Sequence, residues 1–260
     1  ASIYANMGEM DNKGVDANLE YQTRIGNKVG LRLFGNLTYS KNKIVFRDEP
    51  AMQYAYQKSE GTRYGEFYGY IAEGYFQSEE EIKKSPRQMR ELAPGDIKYK
   101  DLNDDGVIDA NDQCYLGKSW FPSWSYGMGF NINYHNFDLA LFFQGVSDVS
   151  IMANGGSIDT GNGDWGACGV GIVPFTGMGL NPSNVITKAL DRWTADNPRA
   201  DAWYPRMTAN ATTNDNNYVN STHWLKDGSY LRLKQASLGY TLENKKLMDK
   251  GIEYLYFYLS

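Results

Sequence analysis

The chain has only two histidines, two cysteines and eight prolines among its 260 residues, and it contains no apolar run of about 18 residues. The missing run excludes a transmembrane helix, and no basic-then-apolar N-terminal stretch has the form of a signal peptide. His135 stands at a tight turn and His223 in a loop, so neither a catalytic triad nor a zinc site can be assembled from them. Cys114 and Cys168 lack the CxxC or Cys/His spacings of metal and redox centres. A disulfide between two loops and two unpaired thiols are both compatible with their separation. A basic excess is also missing: 31 acidic against 26 basic residues give a net charge of -5, so no nucleic-acid partner is expected. Glu79, Glu80 and Glu81 stand beside Lys83 and Lys84 as a solvated charged face rather than a glycosidase pair, and no enzyme activity is expected.

What is present is 42% hydrophobic and 14% aromatic residues with 27 glycines, too apolar for a disordered or collagenous chain. Period-two alternation dominates. Val15, Ala17, Leu19 and Tyr21 alternate with Asp16, Asn18, Glu20 and Gln22, and Gly26-Asn27 then carries a hairpin-turn signature. Val29, Leu31, Leu33, Leu37 and Tyr39 resume the pattern against Arg32, Asn36, Thr38 and Ser40, with Phe34 the exception. A second hairpin sets Trp124, Tyr126, Met128, Phe130, Ile132 and Tyr134 against Ser125, Gly127, Gly129, Asn131 and Asn133. It turns at His135-Asn136 and returns with Phe137, Leu139, Leu141 and Phe143 against Asp138, Ala140, Phe142 and Gln144. A third pair runs from about Tyr230 to Leu242 and from about Gly251 to the end. Its apolar parity switches between Leu233 and Ala236, which predicts a bulge.

Magnitudes separate two all-β readings. From Trp124 to Tyr134 is ten steps of about 3.3 Å, and a tilt of about 40° projects that onto about 25 Å, the height of the apolar band on an outer-membrane barrel. Tyr21, Tyr39, Tyr134 and Phe137 end the strands, where amphipathic rings favour the membrane–water interface. Strands of a soluble β-sandwich alternate in the same way but run about five or six residues. Length and the Gly/Asn/Ser-rich second face favour a transmembrane antiparallel β-barrel. The alternative is a soluble secreted, calcium-stabilised β-sandwich acting as a carbohydrate-binding or adhesion module.

Turns near residues 24–28, 135–136 and 243–250 are short, whereas residues 43–118 and 151–227 form connections far longer than ordinary loops. Barrels of the outer membrane share that asymmetry, with short periplasmic turns and long extracellular loops. Six crossings are expected near residues 14–23, 29–40, 120–135, 137–148, 229–242 and 251–260, with Tyr64 to Phe76 placed in a loop. Within the loops, residues 184–193 after Pro182 read as a helix stopped by Asn197-Pro198, and residues 79–92 as another. Trp165, Trp193, Trp203, Tyr204 and Trp224 are expected to pack within the ordered loop rather than to stack on a ligand.

One stretch is a specific site signature. Asp101-Leu102-Asn103-Asp104-Asp105-Gly106-Val107-Ile108-Asp109-Ala110-Asn111-Asp112 matches a twelve-residue calcium loop at positions 1, 3, 5, 6, 7, 9 and 12. Ca²⁺ takes six to eight oxygens. Asp101, Asn103, Asp105 and the Val107 carbonyl supply four, with Asp109 direct or through water and Asp112 last. Gly106 permits the sharp turn, and Ile108 pins the loop to a small core. Asp at position 12 is shorter than the Glu of sensor loops, and no amphipathic helix pair flanks the loop, so a structural ion is expected rather than a switch.

Several blocks resemble a known family. Gly8-Glu9-Met10-Asp11-Asn12-Lys13-Gly14-Val15-Asp16, Gly74-Tyr75-Phe76-Gln77-Ser78-Glu79-Glu80 and Pro94-Gly95-Asp96-Ile97-Lys98-Tyr99-Lys100-Asp101 are similar to SusC/RagA-type TonB-linked outer-membrane proteins of Bacteroidota. So are Asn136-Phe137-Asp138-Leu139 with Phe142-Phe143-Gln144-Gly145, Arg192-Trp193-Thr194, Tyr204-Pro205-Arg206, and Tyr230-Leu231-Arg232-Leu233 with Ser237-Leu238-Gly239-Tyr240. The resemblance implies nutrient import across the bacterial outer membrane through a plugged 22-stranded barrel. A SusD-like surface lipoprotein would capture an oligosaccharide or oligopeptide, and TonB would supply energy through the plug. Six crossings cannot close a barrel, so residues 1–260 are expected to be a C-terminal part of a TonB-dependent-receptor barrel domain without its plug. On that reading Arg32, Asn36, Asn131, Asn133, Asp138 and Gln144 face a polar lumen or the plug, while the apolar set faces outer-membrane lipid.

Overall fold

Period-two patterning becomes strand structure because successive side chains leave opposite faces of a pleated backbone. A computed structural model describes residues 8–26, 28–154, 158–159, 165–166, 187–207 and 215–260. Its elements run β1 (Gly8–Ile25), β2 (Val29–Arg47), β3 (Glu66–Gly69), β4 (Ala72–Tyr75), α1 (Glu79–Lys84), β5 (Ile97–Tyr99), β6 (Cys114–Ser119), β7 (Trp124–Tyr134), β8 (Phe137–Ser147) and β9 (Ser150–Met152). They continue through β10 (Ile158–Asp159), β11 (Trp165–Gly166), β12 (Leu225–Asp227), β13 (Tyr230–Leu242), α2 (Lys245–Met248) and β14 (Leu255–Leu259). The chain divides into two compact units: residues 12–42, 121–149 and 228–260 form one, and residues 1–11, 43–120 and 150–227 the other.

The first unit carries a six-stranded sheet in the order β1-β2-β7-β8-β13-β14. The tight turn at His135-Asn136 places Tyr134 opposite Phe137 and Trp124 opposite Ser147, with His135 at a positive φ of 51°. That register puts Met128, Phe130, Leu139 and Leu141 on one face and Asn131, Gly129, Ala140 and Asp138 on the other. The expected bulge lies in β13. Leu233 pairs with Phe143 and Gln235 with Phe142, so Lys234 is the extra residue. Odd-numbered Leu231 and Leu233 thereby share a face with even-numbered Leu238 and Tyr240, and the parity switch in the sequence is cancelled in space.

Phe34, the exception to the alternation, also has its reason. It lies on the polar face opposite Gly129, where a β-carbon would strike its ring, and it stacks with Phe142 at 6.0 Å. Arg32 sits over the Phe34 ring at 5.0 Å while its guanidinium grips Glu20 at 2.7 Å. The glycines of β7 are thus the floor on which two phenyl rings lie.

This sheet is a single layer. Leu33, Leu37, Met128, Phe137, Leu231, Leu233 and Leu238 are exposed on its apolar face, and among the described residues of this unit no second sheet packs on them. A soluble sandwich would bury that face, so the structure departs from the sandwich alternative. Two strands exceed expectation. β1 and β2 have 18 and 19 residues, about 60 Å of chain, so at a tilt of about 40° they outreach a 25 Å apolar band.

The second unit is built from two-stranded ribbons, β3 with β6, β4 with β5, and β9 with β12, around Tyr70, Tyr75, Ile97, Tyr99, Ile108, Trp193, Tyr204 and Trp224. Trp193, Tyr204 and Trp224 are packing residues, as expected, and Trp203 is half-buried. Trp165 falls in β11, and Cys168 lies outside the described residues. Cys114 is a buried free thiol. Both loop helices are shorter than the patterning predicts. α1 ends at Lys84 because Ser85 precedes Pro86, which disfavours the helical region. The later one reduces to a 3₁₀ turn at Thr187–Leu190, since Asp191 and Trp193 give their backbone groups to Tyr204 instead; residues 184–186 lie outside the described residues.

The unit's clasp is an ion pair. The fully buried Asp96 carboxylate takes two hydrogen bonds from Arg206, both at 3.0 Å, one from Asn217 Nδ2 at 2.8 Å and one from the Ala93 amide at 2.8 Å. Gly95 beside it has φ +91° and lies against the Trp193 ring, so a side chain there would strain the backbone and collide. Breaking a buried pair leaves an uncompensated charge at a cost of about 3–5 kcal/mol. Arg206→Ala and Gly95→Ala should each raise hydrogen exchange across residues 93–99, 204–207 and 215–217; unchanged protection in both would contradict the clasp.

Candidate functional site

The 101–112 loop curls because its side chains accept from its own amides. Asp101 Oδ2 accepts from Gly106 N at 2.8 Å, Asn103 Oδ1 from Asp105 N at 3.2 Å, Asp105 Oδ1 from Val107 N at 2.9 Å and Asp109 Oδ1 from Asn111 N at 2.7 Å. Gly106 takes φ +82° and Asp104 φ +59°, the left-handed turns this curl requires. Ile108 is 1% exposed and anchors the loop in the unit's core, while Arg87 exchanges backbone hydrogen bonds with Gly106 and Ile108 at 3.0 and 2.8 Å.

Four of the six expected ligand residues therefore accept hydrogen bonds from amides of their own loop. Asp112 does something additional. It is fully buried, and its two oxygens accept from Leu102 N at 2.7 Å and Asp109 N at 2.9 Å, tying the end of the loop to its beginning. Three residues that sequence patterning missed brace the outside. Tyr54 Oη accepts from Asn103 Nδ2 at 3.2 Å, Tyr56 Oη donates to the Asn111 carbonyl at 2.8 Å, and Gln57 Nε2 donates to the Ala110 carbonyl at 3.2 Å. Their signal in the sequence is only a local aromatic cluster some 50 residues upstream.

The donor set fits a hard cation at one telling atom. Asp101 Oδ1 is buried without a hydrogen-bond partner, and a carboxylate oxygen left so is costly unless something positive meets it. Among the described residues no three His, Cys, Asp or Glu side chains are gathered for a metal. A cation here would rely on the Asn103 and Val107 oxygens and on water besides the carboxylates, the oxygen-rich coordination Ca²⁺ accepts.

The other chemistry-bearing residue types are structural. His223 is packed against Trp224 at 4.7 Å and its Nε2 lies 3.4 Å from Tyr75 Oη. Burial, then the Lys226 charge, push its pKa down to about 4, so it is neutral at neutral pH. Burial raises the Tyr75 and Tyr99 hydroxyls far above their ordinary value. No nucleophile–base pair is formed by these groups.

Comparison with known proteins follows the fold. No protein-family model matches the chain. TonB-dependent receptor P3 of Formosa agariphila is 25% identical over 274 residues, covering 100% of this chain and 24% of that protein. TonB-dependent receptor P26 of the same organism is 25% identical over 268 residues, covering 98% and 24%. The RagAB peptide transporter structure superposes with a TM-score of 0.62 at 18% identity over 97% of this chain and 25% of that one. RagAB in its "closed-closed" state gives 0.61 at 19% identity over 99% and 27%. The chain thus spans about a quarter of the length of the relatives it matches.

These alignments and the six-stranded antiparallel sheet support one class of protein, the TonB-dependent receptor, of which that sheet has the form of a barrel-wall section. Within that class the chain resembles the SusC/RagA type. The matched proteins are named receptors, transporters or importers rather than enzymes.

The loop geometry sets a direct test of whether a metal binds here. Terbium stands in for calcium and is excited by nearby tyrosine, and Tyr54 and Tyr56 touch the loop. Wild-type protein should give terbium luminescence quenched by calcium at about 0.1–1 mM, and Asp101→Ala with Asp105→Ala should abolish it. Undiminished luminescence in the double variant would contradict a metal at this loop.

Proposed function

We propose that this chain supplies a section of barrel wall and extracellular loops to an outer-membrane transporter that imports nutrients. One observation carries the proposal: a sheet with its apolar face exposed and glycine, asparagine and serine on the other is continuous with receptor-like sequence along the whole chain. Such a face is stable against lipid, and the polar face suits a lumen or a plug. Closure by strands beyond these six would satisfy the edges β1 and β14, which lipid could not.

In this reading the connections of residues 43–118 and 151–227 are extracellular and the short turns periplasmic. A SusD-like lipoprotein closes over the loops, TonB energises release through a plug, and the cargo is an oligosaccharide or an oligopeptide. The likeness to RagAB, a peptide transporter by name, supports the second cargo. The loop of Asp101, Asn103, Asp105, Val107, Asp109 and Asp112 holds a structural Ca²⁺ that stiffens the first connection, supported by the orphaned Asp101 oxygen.

The two faces give the test. An arginine on the lipid face near mid-membrane costs about 2–4 kcal/mol, and one on the lumen face little. In the full-length receptor, Met128→Arg and Leu141→Arg should reduce heat-modifiable, folded protein in the outer membrane and abolish TonB-dependent uptake. Asn131→Arg should leave folded protein near wild-type levels. Equal losses on both faces would refute the reading.

A further inference from the structure

Resting on the transporter reading, we infer that Lys226 and Trp203 form a recognition site for a carboxylate on the imported ligand. Every residue of the site belongs to the loop-rich unit. Lys226 lies in the middle of β12, opposite Ile151 of β9. Its ammonium stands 5.1 Å from the centre of the Trp203 ring, and the Lys188 ammonium stands 6.0 Å from the same centre. Trp203 is itself held edge-on by Tyr204 at 4.4 Å and Trp224 at 5.9 Å, so the indole is a fixed plate and not a flexible lid.

The two lysines differ in one respect. Lys188 spends its charge on Asp191, at 2.9 Å. Lys226 is half-buried and has no acidic partner among the described residues, and the neighbouring His223 ring is neutral. Asp227 follows it in the strand and so projects from the opposite face. A half-buried cation without a counter-charge is costly, and the electron-rich face of an indole offsets only part of that cost. Burial accordingly lowers the Lys226 pKa. The cation–π contact leaves ammonium hydrogens free to donate.

The missing element is therefore an anionic acceptor, and the geometry selects a carboxylate whose apolar stem can lie on the half-buried Trp203 plate. In a peptide that group is the C-terminus or an acidic side chain; in a glycan it is a uronic acid. Neutral oligosaccharides and amidated peptides lack it.

The test uses full-length receptor in detergent and matched probes: short uncharged-side-chain oligopeptides with a free C-terminus beside the same peptides amidated, and oligogalacturonate beside its methyl ester. Wild-type protein should bind the carboxylate member of one pair at least about tenfold tighter than its neutral twin, the size expected of one charge-assisted hydrogen bond. Lys226→Gln should remove that preference and leave the neutral twin within about twofold, and Lys226→Arg should keep it, with heat-modifiable mobility confirming that each variant is folded. Preference in the peptide pair assigns a peptide terminus, and preference in the sugar pair a uronate. No preference in either pair, or a preference that survives Lys226→Gln, overturns the site while leaving import standing. Failure of the wild type to bind any member of either pair likewise overturns the site, while the import reading falls only to the Met128→Arg, Leu141→Arg and Asn131→Arg comparison.

Discussion

Backbone hydrogen bonding between neighbouring strands is the interaction on which the six-stranded sheet depends, because a ladder that slips by one residue turns every side chain to the wrong face. The sequence of β13 cannot satisfy both ladder and face as a regular strand: its apolar residues change parity halfway. Inserting Lys234 as an extra residue keeps both the pairing to β8 and the apolar face. The same constraint explains the glycines of β7. Gly127 and Gly129 lie under Phe142 and Phe34, so two large rings can occupy the polar face without pushing neighbouring strands apart.

A different economy holds the loop-rich unit together. Its ribbons are two to six residues long, too short to be stable as isolated hairpins, and its core is mostly aromatic. Buried polar groups fix the geometry instead. Asp96 joins the Arg206 segment and Asn217, Gln88 joins Tyr99 and Asn216, and Asn217 Oδ1 accepts the Ile97 amide. Except for the Gln88–Tyr99 bond, these link residues more than 100 positions apart, so the two long connections are one packed body. The calcium-type loop is anchored to it through Ile108, which is why a metal there would stiffen more than twelve residues.

The strands were legible because a half-buried sheet writes its period directly into the sequence. β8 and β13 lie within a residue of the expected positions, β7 begins at Trp124 rather than near residue 120, and even the bulge shows as a change of parity. β1 and β2 were legible only in part. Gly8 to Lys13 and Lys41 to Arg47 lack alternation, so their strand structure follows from pairing alone. β14 starts at Leu255 rather than 251 because α2 consumes the turn, with Gly251 at φ +81° and Ile252 N bonded to Leu247 O. The curl of the 101–112 loop could be read residue by residue, since the side chains that accept from its amides are local. Tyr54, Tyr56, Gln57 and the Lys226–Trp203 pair could not, because their partners are distant in the chain.

The central claim is that this chain is wall, with its long connections on one side of a membrane and its short turns on the other. Epitope tags in the full-length receptor measure that directly: one inserted at the exposed Glu60, one at the His135-Asn136 turn, each probed on intact and on permeabilised cells. The account predicts that the Glu60 tag is bound by antibody on intact cells and the turn tag only after permeabilisation. Binding of both tags on intact cells, or of the turn tag alone, would contradict it.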